Sequence, residues 1–350
     1  MSTRFGTQCR RGSLLVVTLW LIAILATIAV ALGGYLSTET RLLRYHIAHA
    51  RAHALARAGV YLALQRLAED AQQQGEEYDW LGDKWAYFPS RDPNAASTSW
   101  HVSFPDQAGL TITMTDEERK LNVNRVGEIE LAGLFEKLLG GPAPVDLIAD
   151  AVDADTTPRP NGLEASSSTP PYQAKNAPLV VLEEAREIPG VTDETSGLLQ
   201  RFTSPFLELT SSVNINTASP ELLRAMCAVA EKSGLAEQIV AYRWKPEDQS
   251  DVTTGNRFVR LTPDVEVSVS SQPLDPTLKD ALTEAMVGPR PLRTLLGVQA
   301  AHFKIVAMGE TATPAVRSRI QAVVRRGASS GQPSLSVGGE TFTLLAWQEG

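Results

Sequence analysis

Four carboxylates stand close together in one stretch of the chain: Asp150, Asp153, Asp155 and Glu164. Oxygen ligands of this kind suit a hard cation such as Ca²⁺. Asp146, Leu147, Ile148 and Val152 fit a short helix, and the aspartates crowd its end, where negative charge opposes the helix dipole. The spacing is not that of an EF-hand loop, because no Gly and Glu fall at the required offsets. Two readings stay open: a calcium site, or a solvated acidic turn. Other residue types offer less chemistry. His46, His49 and His53 share one helix face, His101 and His302 stand alone, and none joins a Ser/His/Asp or Cys/His set. No enzyme is expected. Cys9 precedes a long apolar stretch and Cys227 lies far beyond it within the apolar run Leu222–Val229. They cannot pair within one chain, and Cys227 reads as a buried apolar residue.

These residues must be positioned by a chain of 350 residues with a formal net charge of -8. That length allows two compact domains and an anchor. The acidic balance repels phosphate backbones, so nucleic acid is not an expected partner. The stretch from Ser13 to Thr38 contains no charged residue. It exceeds the roughly 20 residues that cross a bilayer as a helix. Arg4, Arg10 and Arg11 precede it, which places the N-terminus in the cytoplasm and the bulk outside. The core is too long for a cleaved secretory signal, and helix continues past its end. A plain signal anchor and a processed leader remain. Arg10-Arg11-Gly12 before Ser13-Leu14-Leu15-Val16-Val17 has the form of a prepilin-type leader, cut after Gly12 to leave Ser13 as the new N-terminus. Pilin-type subunits usually carry a Glu at the fifth mature position, which offsets a neighbour's N-terminal amine in lipid. Val17 stands there instead. It marks a subunit suited to the first position of a filament rather than to its body.

Glu39 to Asp70 continues the helix, with an apolar stripe read at Leu42, Leu43, Ile47, Leu55, Val60, Leu62, Leu64 and Leu67. A polar loop, Gln72 to Ser97, follows. Ser99–Phe104 and Leu110–Met114 alternate around a turn and read as a β-hairpin. Asp116 to Asn124 reads as a charged turn. Helical patterns follow over Glu128–Leu139 and Val180–Ile188, with a long loop over Pro158–Pro178. Ser219 is a good N-cap before Pro220. The Ile-Pro-Gly and Asn-x-Asn-Thr-Ala-Ser turns are similar to helix-hairpin-helix units, which often hold DNA through backbone amides. Ser211–Leu235 carries only Arg224 and Lys232 as basic residues, so protein contact is the expected use. His302–Met308, Val316–Arg326 and Thr341–Trp347 read as strands.

Taken in order, several segments resemble the minor pseudopilin K family of bacterial type II secretion. They are Arg-Gly-Ser-Leu-Leu-Val-Val at 11–17, the Asp116–Asn124 run, Asp150-Ala-Val-Asp-Ala-Asp155, Pro170–Pro178, Val213–Pro220 and the closing Leu-Ala-Trp-Gln-Glu at 345–349. The resemblance implies an α+β fold: a pilin-like long N-terminal helix packed on an antiparallel sheet, with a large inserted all-helical domain. The expected division is a leader at 1–12, a transmembrane helix at 13–38, the first part of the pilin-like domain at 39–125, the inserted helical domain at 126–295 and the returning strands at 296–350. It further implies a place at the tip of a periplasmic pseudopilus beside minor pseudopilins I and J (and H), anchored in the inner membrane. Cleavage and N-methylation by a prepilin peptidase are implied as well, and so is calcium in the exported region, which favours Asp150, Asp153, Asp155 and Glu164 as its ligands. The competing expectation is a membrane-tethered DNA-uptake protein.

Overall fold

A computed structural model describes residues 11–72, 78–86, 99–167, 171–232, 234–243, 256–261, 265–268, 274–329 and 331–350. The leader expected at 1–12 falls largely outside them, as does much of the loop after residue 72.

One helix, α1 (Arg11–Ala71), runs unbroken from the apolar stretch into the globular part. From Leu14 to Leu36 its large apolar residues are exposed, and a Cβ added at Gly33 or Gly34 would meet nothing. That exposure is consistent with a segment whose solvent is lipid. Its second half lies on a six-stranded antiparallel sheet. The strands are β1 (Ser99–Ser103), β2 (Gly109–Asp116), β3 (His302–Ala312), β4 (Ala315–Arg326), β5 (Ser334–Val337) and β6 (Glu340–Glu349). Their order in the sheet is β1-β2-β3-β4-β6-β5. β2 and β3 are adjacent in space although nearly two hundred residues separate them, so everything between is an insertion into one sheet.

The face that α1 buries differs from the leucine stripe read in the sequence. Leu42, Leu43, Ile47 and Leu62 are exposed. The buried line is instead Ala48, Ala52, Ala56, Gly59 and Ala63, joined by Val60, Leu64 and Leu67. The reason is distance. A Cβ placed on Gly309 of β3 would lie 2.1 Å from the Ala52 carbonyl oxygen, and one on Gly59 would lie 2.8 Å from Leu110 and 2.9 Å from Ala307. Helix and sheet approach so closely that only small residues fit between them. Leu64, Leu67, Leu110, Ile112, Phe303, Ile305, Ile320 and Phe342 fill the rest of this core. Trp85 closes it edge-on to Phe303, with ring centroids 5.1 Å apart.

The insertion has a second core of its own, drawn from Leu121 to Leu296. Its helices are α2 (Ala132–Leu139), α3 (Pro142–Val152), α4 (Asp193–Phe202), α5 (Pro220–Val229), α6 (Leu235–Tyr242), α7 (Pro276–Glu284) and the single turn α8 (Leu292–Leu295). Their ends are set locally. Ser219 accepts from the Leu222 amide with Pro220 at the first helical position, and Thr192 and Asp275 cap α4 and α7 in the same way. The block is not purely helical. Leu121–Asn122 pairs with Thr203–Ser204, Val213–Asn214 with Leu296–Gly297, and three further short ladders tie its loops. Leu182–Glu187 is a 3-10 helix rather than an α-helix, and Val180 is exposed before it.

The insertion sits at the end of the sheet far from the apolar half of α1. There Arg326 of β4 reaches Asp70, next to the last residue of α1, at 2.7 Å. At 1.5 Å per residue, that is about 50 Å beyond Thr38.

Candidate functional site

The acidic stretch lies where α3 ends. Pro142 starts this helix and Asp153 follows its last residue, already extended at ψ 171°. Asp150, on the last turn, is fully buried, and both its oxygens accept from the Arg159 amide at 3.2 Å. The chain therefore turns back on itself between 153 and 159. Asp155 accepts from the Thr157 amide at 2.8 Å inside that turn. The Arg159 guanidinium lies 3.7 Å from Asp150 and 3.8 Å from Asp153, and donates to the Gly127 carbonyl at 3.1 Å. The returning strand passes so near that a Cβ on Gly162 would fall 1.9 Å from an Asp150 oxygen. Glu164 follows, 8% exposed, and its carbonyl accepts from Ala174 at 2.7 Å.

Asp153, Asp155 and Glu164 each present an oxygen within 4.8 Å of the others. Asp150 stands behind this trio, committed to Arg159. Both carboxylate oxygens of Glu164 and Oδ1 of Asp153 are buried without a hydrogen-bond partner, as is Oδ1 of Asn176. Asn176 itself donates from its amide to the Asp155 carbonyl at 2.7 Å. Desolvation and the charges of Asp150, Asp153 and Asp155 push the Glu164 pKa up. Desolvation and the neighbouring Asp155 do the same to Asp153. Orphaned carboxylate oxygens that repel one another form an electrostatically unsatisfied set. The donor chemistry, hard oxygens and no sulfur or imidazole, fits Ca²⁺.

A second polar centre, absent from the sequence reading, joins the sheet to the insertion. The run from Asp116 that reads as a charged turn is buried: Asp116, Glu117, Glu118 and Asn122 are all inside. Asp116 Oδ2 accepts from Asn214 Nδ2 at 2.9 Å and Thr217 Oγ1 at 2.5 Å, and its Oδ1 accepts from the Glu118 amide at 2.7 Å. Glu118 accepts from the backbone amide of His302 at 3.0 Å, and its other oxygen lies 2.6 Å from the His302 ring. Asn214 and Asn216 also donate to the Asp79 carbonyl, while the Asp79 carboxylate takes Arg326 at 2.8 Å and the Ala300 amide at 2.7 Å. The Asn-x-Asn-Thr segment is thus a latch between domains. The alternation of Val213, Asn214, Ile215 and Asn216 carried a signal for this: two asparagines at i and i+2 face the same way.

That use leaves the DNA reading without support. Arg224 pairs with Glu237 at 2.9 Å and Lys232 with Glu284 at 3.3 Å, so the two basic residues of this region are neutralised. Of the helix-face histidines, His53 lies 3.2 Å from Glu349 of β6, and His46 and His49 pack near Tyr45. Cys227 is buried, and desolvation pushes its thiol up to about 12. An inert apolar role follows.

Residues 120–204 match the family described as type II secretion system (T2SS), protein K. They contain all four carboxylates of the acidic stretch. No curated protein matches the chain. A chain in the crystal structure of the GspK-GspI-GspJ complex from the enterotoxigenic Escherichia coli type 2 secretion system shares the fold, with a TM-score of 0.59 at 16% identity. The match covers 89% of this chain and 99% of that one. The chain thus carries, within its insertion, a segment similar to type II secretion protein K, on a long helix and antiparallel sheet that share the fold of that solved chain.

Proposed function

We propose that this chain sits at the tip of a periplasmic pseudopilus, together with minor pseudopilins I and J, and promotes assembly of the filament that exports folded proteins. The observation that carries this is the position of the insertion. It crowns the membrane-distal end of the pilin-like body, where α1 ends at Ala71. Subunits that enter a filament from the membrane add beneath those already present. A bulky domain at the distal end is tolerated by the subunit with nothing above it. Val17, at the fifth position after Gly12, agrees: this helix brings no carboxylate for an earlier subunit's amine. The relative in the solved complex is found with GspI and GspJ, which supports the choice of partners.

The same reading places α1 in the inner membrane with its N-terminus in the cytoplasm and the bulk in the periplasm. It gives the leader 1–12 to a prepilin peptidase, and it adds minor pseudopilin H as a further neighbour. Calcium belongs to it as well, held by Asp153, Asp155 and Glu164. Asp150 keeps Arg159 in place behind them and so fixes the turn that presents two of the three. The ion supplies the positive charge that these oxygens lack. No catalysis is assigned to the chain.

Co-purification of the periplasmic part with those of minor pseudopilins I and J from the same secretion system tests the tip assignment. A stoichiometric ternary complex at micromolar concentration is expected. Three separate species at that concentration would remove the assignment.

A further inference from the structure

Just above the membrane, the face of α1 that later packs on the sheet carries arginines with nothing opposite them. Arg41, Arg44 and Ala48 stand at i, i+3 and i+7, which is one side of a helix. Ala48 is buried against Ala52 and Val316 and is the first residue of the helix to meet the globular domain. Arg41 and Arg44 therefore point below the sheet, into the wedge between its lower edge and the bilayer. Two turns roof that wedge, at 105–108 between β1 and β2 and at 312–314 between β3 and β4. Arg44, Ile47, Ala48 and Arg51 line a cleft of about 300 Å³ beneath them.

The charges in this wedge do not balance. Arg51 pairs with Asp106 of the first turn, which occupies both groups. Arg41 and Arg44 are exposed and make no ion pair among the described residues. Glu39 lies two positions before Arg41 and so faces elsewhere. Height decides what the two arginines can meet. At 1.5 Å per residue, they stand about 4.5 and 9 Å beyond Thr38. The headgroup layer on each side of a bilayer is roughly 5–8 Å thick. Both guanidiniums fall within reach of lipid phosphates, and Arg binds phosphate in bidentate fashion.

We propose that Arg41 and Arg44 bind the phosphate of an anionic phospholipid in the leaflet beneath the globular domain, its headgroup filling the wedge between α1 and the two turns. Two unpaired positive charges favour a lipid with net negative charge over a zwitterionic one, whose own cation competes for its phosphate. The bound lipid fixes the height and tilt of the domain before the helix leaves the membrane. The proposal rests on α1 spanning a bilayer and not on the tip assignment, so the two can fail separately.

The test offers the full-length chain in mild detergent an equimolar mixture of phosphatidylglycerol and phosphatidylcholine, and counts retained lipids by native mass spectrometry. The parent should retain phosphatidylglycerol with a preference of about thirtyfold, the scale set by about 1 kcal/mol for each of two basic residues near an anionic surface. The double variant Arg41→Gln, Arg44→Gln should fall to near parity. Arg41→Lys, Arg44→Lys should keep most of the preference, and Arg57→Gln, on another face of the helix, should keep all of it. Parity in the parent, or an unchanged preference in the double glutamine variant, overturns the proposal. So does a double variant that still selects phosphatidylglycerol but no longer joins the ternary complex, since the arginines would then face protein.

Discussion

At the level of single residues, a carboxylate removed from water stays charged only while donors and cations outweigh the lost hydration. Asp116 tests that balance, because it accepts from Asn214, Thr217 and the Glu118 amide yet has no cation of its own. Desolvation, followed by the charge of Glu118, pushes its pKa well up, and Asp79 is raised by desolvation in spite of Arg326. The sign follows directly. A folded-state pKa above the unfolded value means the folded chain holds the proton more tightly. The resulting stabilisation is full below the unfolded pKa and is lost as pH rises through the folded one. Melting temperatures taken from acid upward should therefore fall more steeply in the parent than in Asp116→Asn, whatever the absolute stability of the variant. Parallel curves would show that Asp116 is charged throughout. On the proposed calcium reading, the cost of the acidic trio is removed by a cation as well as by a proton. Millimolar Ca²⁺ at about a hundred times its Kd would add about 2.7 kcal/mol, a rise of several degrees in Tm. The rise should vanish in Asp153→Ala, Asp155→Ala. In chelator that variant should melt close to the parent, because the repulsion it relieves offsets the lost contacts of Asp153 with Arg159 and of Asp155 with the Thr157 amide. A variant that melts lower in chelator would mean these groups hold the fold themselves.

At the level of elements, the contact between α1 and the sheet depends on what is missing from it. Ala52, Ala56 and Gly59 meet Gly309 and Ala307 without room for another methyl group. Gly309→Ala should therefore destabilise the chain by roughly 1–3 kcal/mol, the cost of overpacking a tight interior. Denaturant unfolding of the purified chain reads this as a lower midpoint with an unchanged slope. Gly197→Ala, where an added Cβ would meet nothing, is the matched control and should leave the midpoint unchanged or raise it. Equal effects from the two would mean that helix and sheet separate freely. This contact also marks a limit of sequence reading. Periodicity placed the helix correctly from Glu39 to Asp70 but chose Leu42, Leu43, Ile47 and Leu62 as its buried side, because large apolar residues weigh most in such a pattern. The side that packs is the small one, since closeness to the backbone of β3 excludes leucine. Leucines left outside fit the proposed role of a helix that meets lipid and other helices.

At the level of the whole molecule, the hairpin, the returning strands, the Ser219 cap and the insertion between strands could all be read along the chain. Each depends on local alternation, on turn residues or on capping chemistry. The buried carboxylates could not be read in this way. Asp116 and Glu118 look solvated because their partners, Asn214, Thr217 and His302, lie far away in sequence. The clustering of the acidic residues was half legible. Charge density at a helix end drew attention to Asp150, Asp153, Asp155 and Glu164, but nothing local told that Asp150 would be spent on the Arg159 amide. The same division applies to assembly. The fold fixes where the insertion sits, but whether α1 enters a filament depends on its first residues. If Arg11-Gly12-Ser13 is a prepilin junction, the mature chain begins at the serine. The three arginines that precede the apolar stretch then leave with the leader. The helix keeps only its terminal amine on the cytoplasmic side, and the cost of drawing it out of the bilayer falls accordingly. Mass spectrometry of the chain from cells with the peptidase should find residues 1–12 absent and one methyl group added at Ser13. Cells without the peptidase should yield the chain intact. An intact Met1 end in the presence of the peptidase would leave α1 a permanent anchor, its arginines still holding it in place, and a protein so held could not serve at a filament tip.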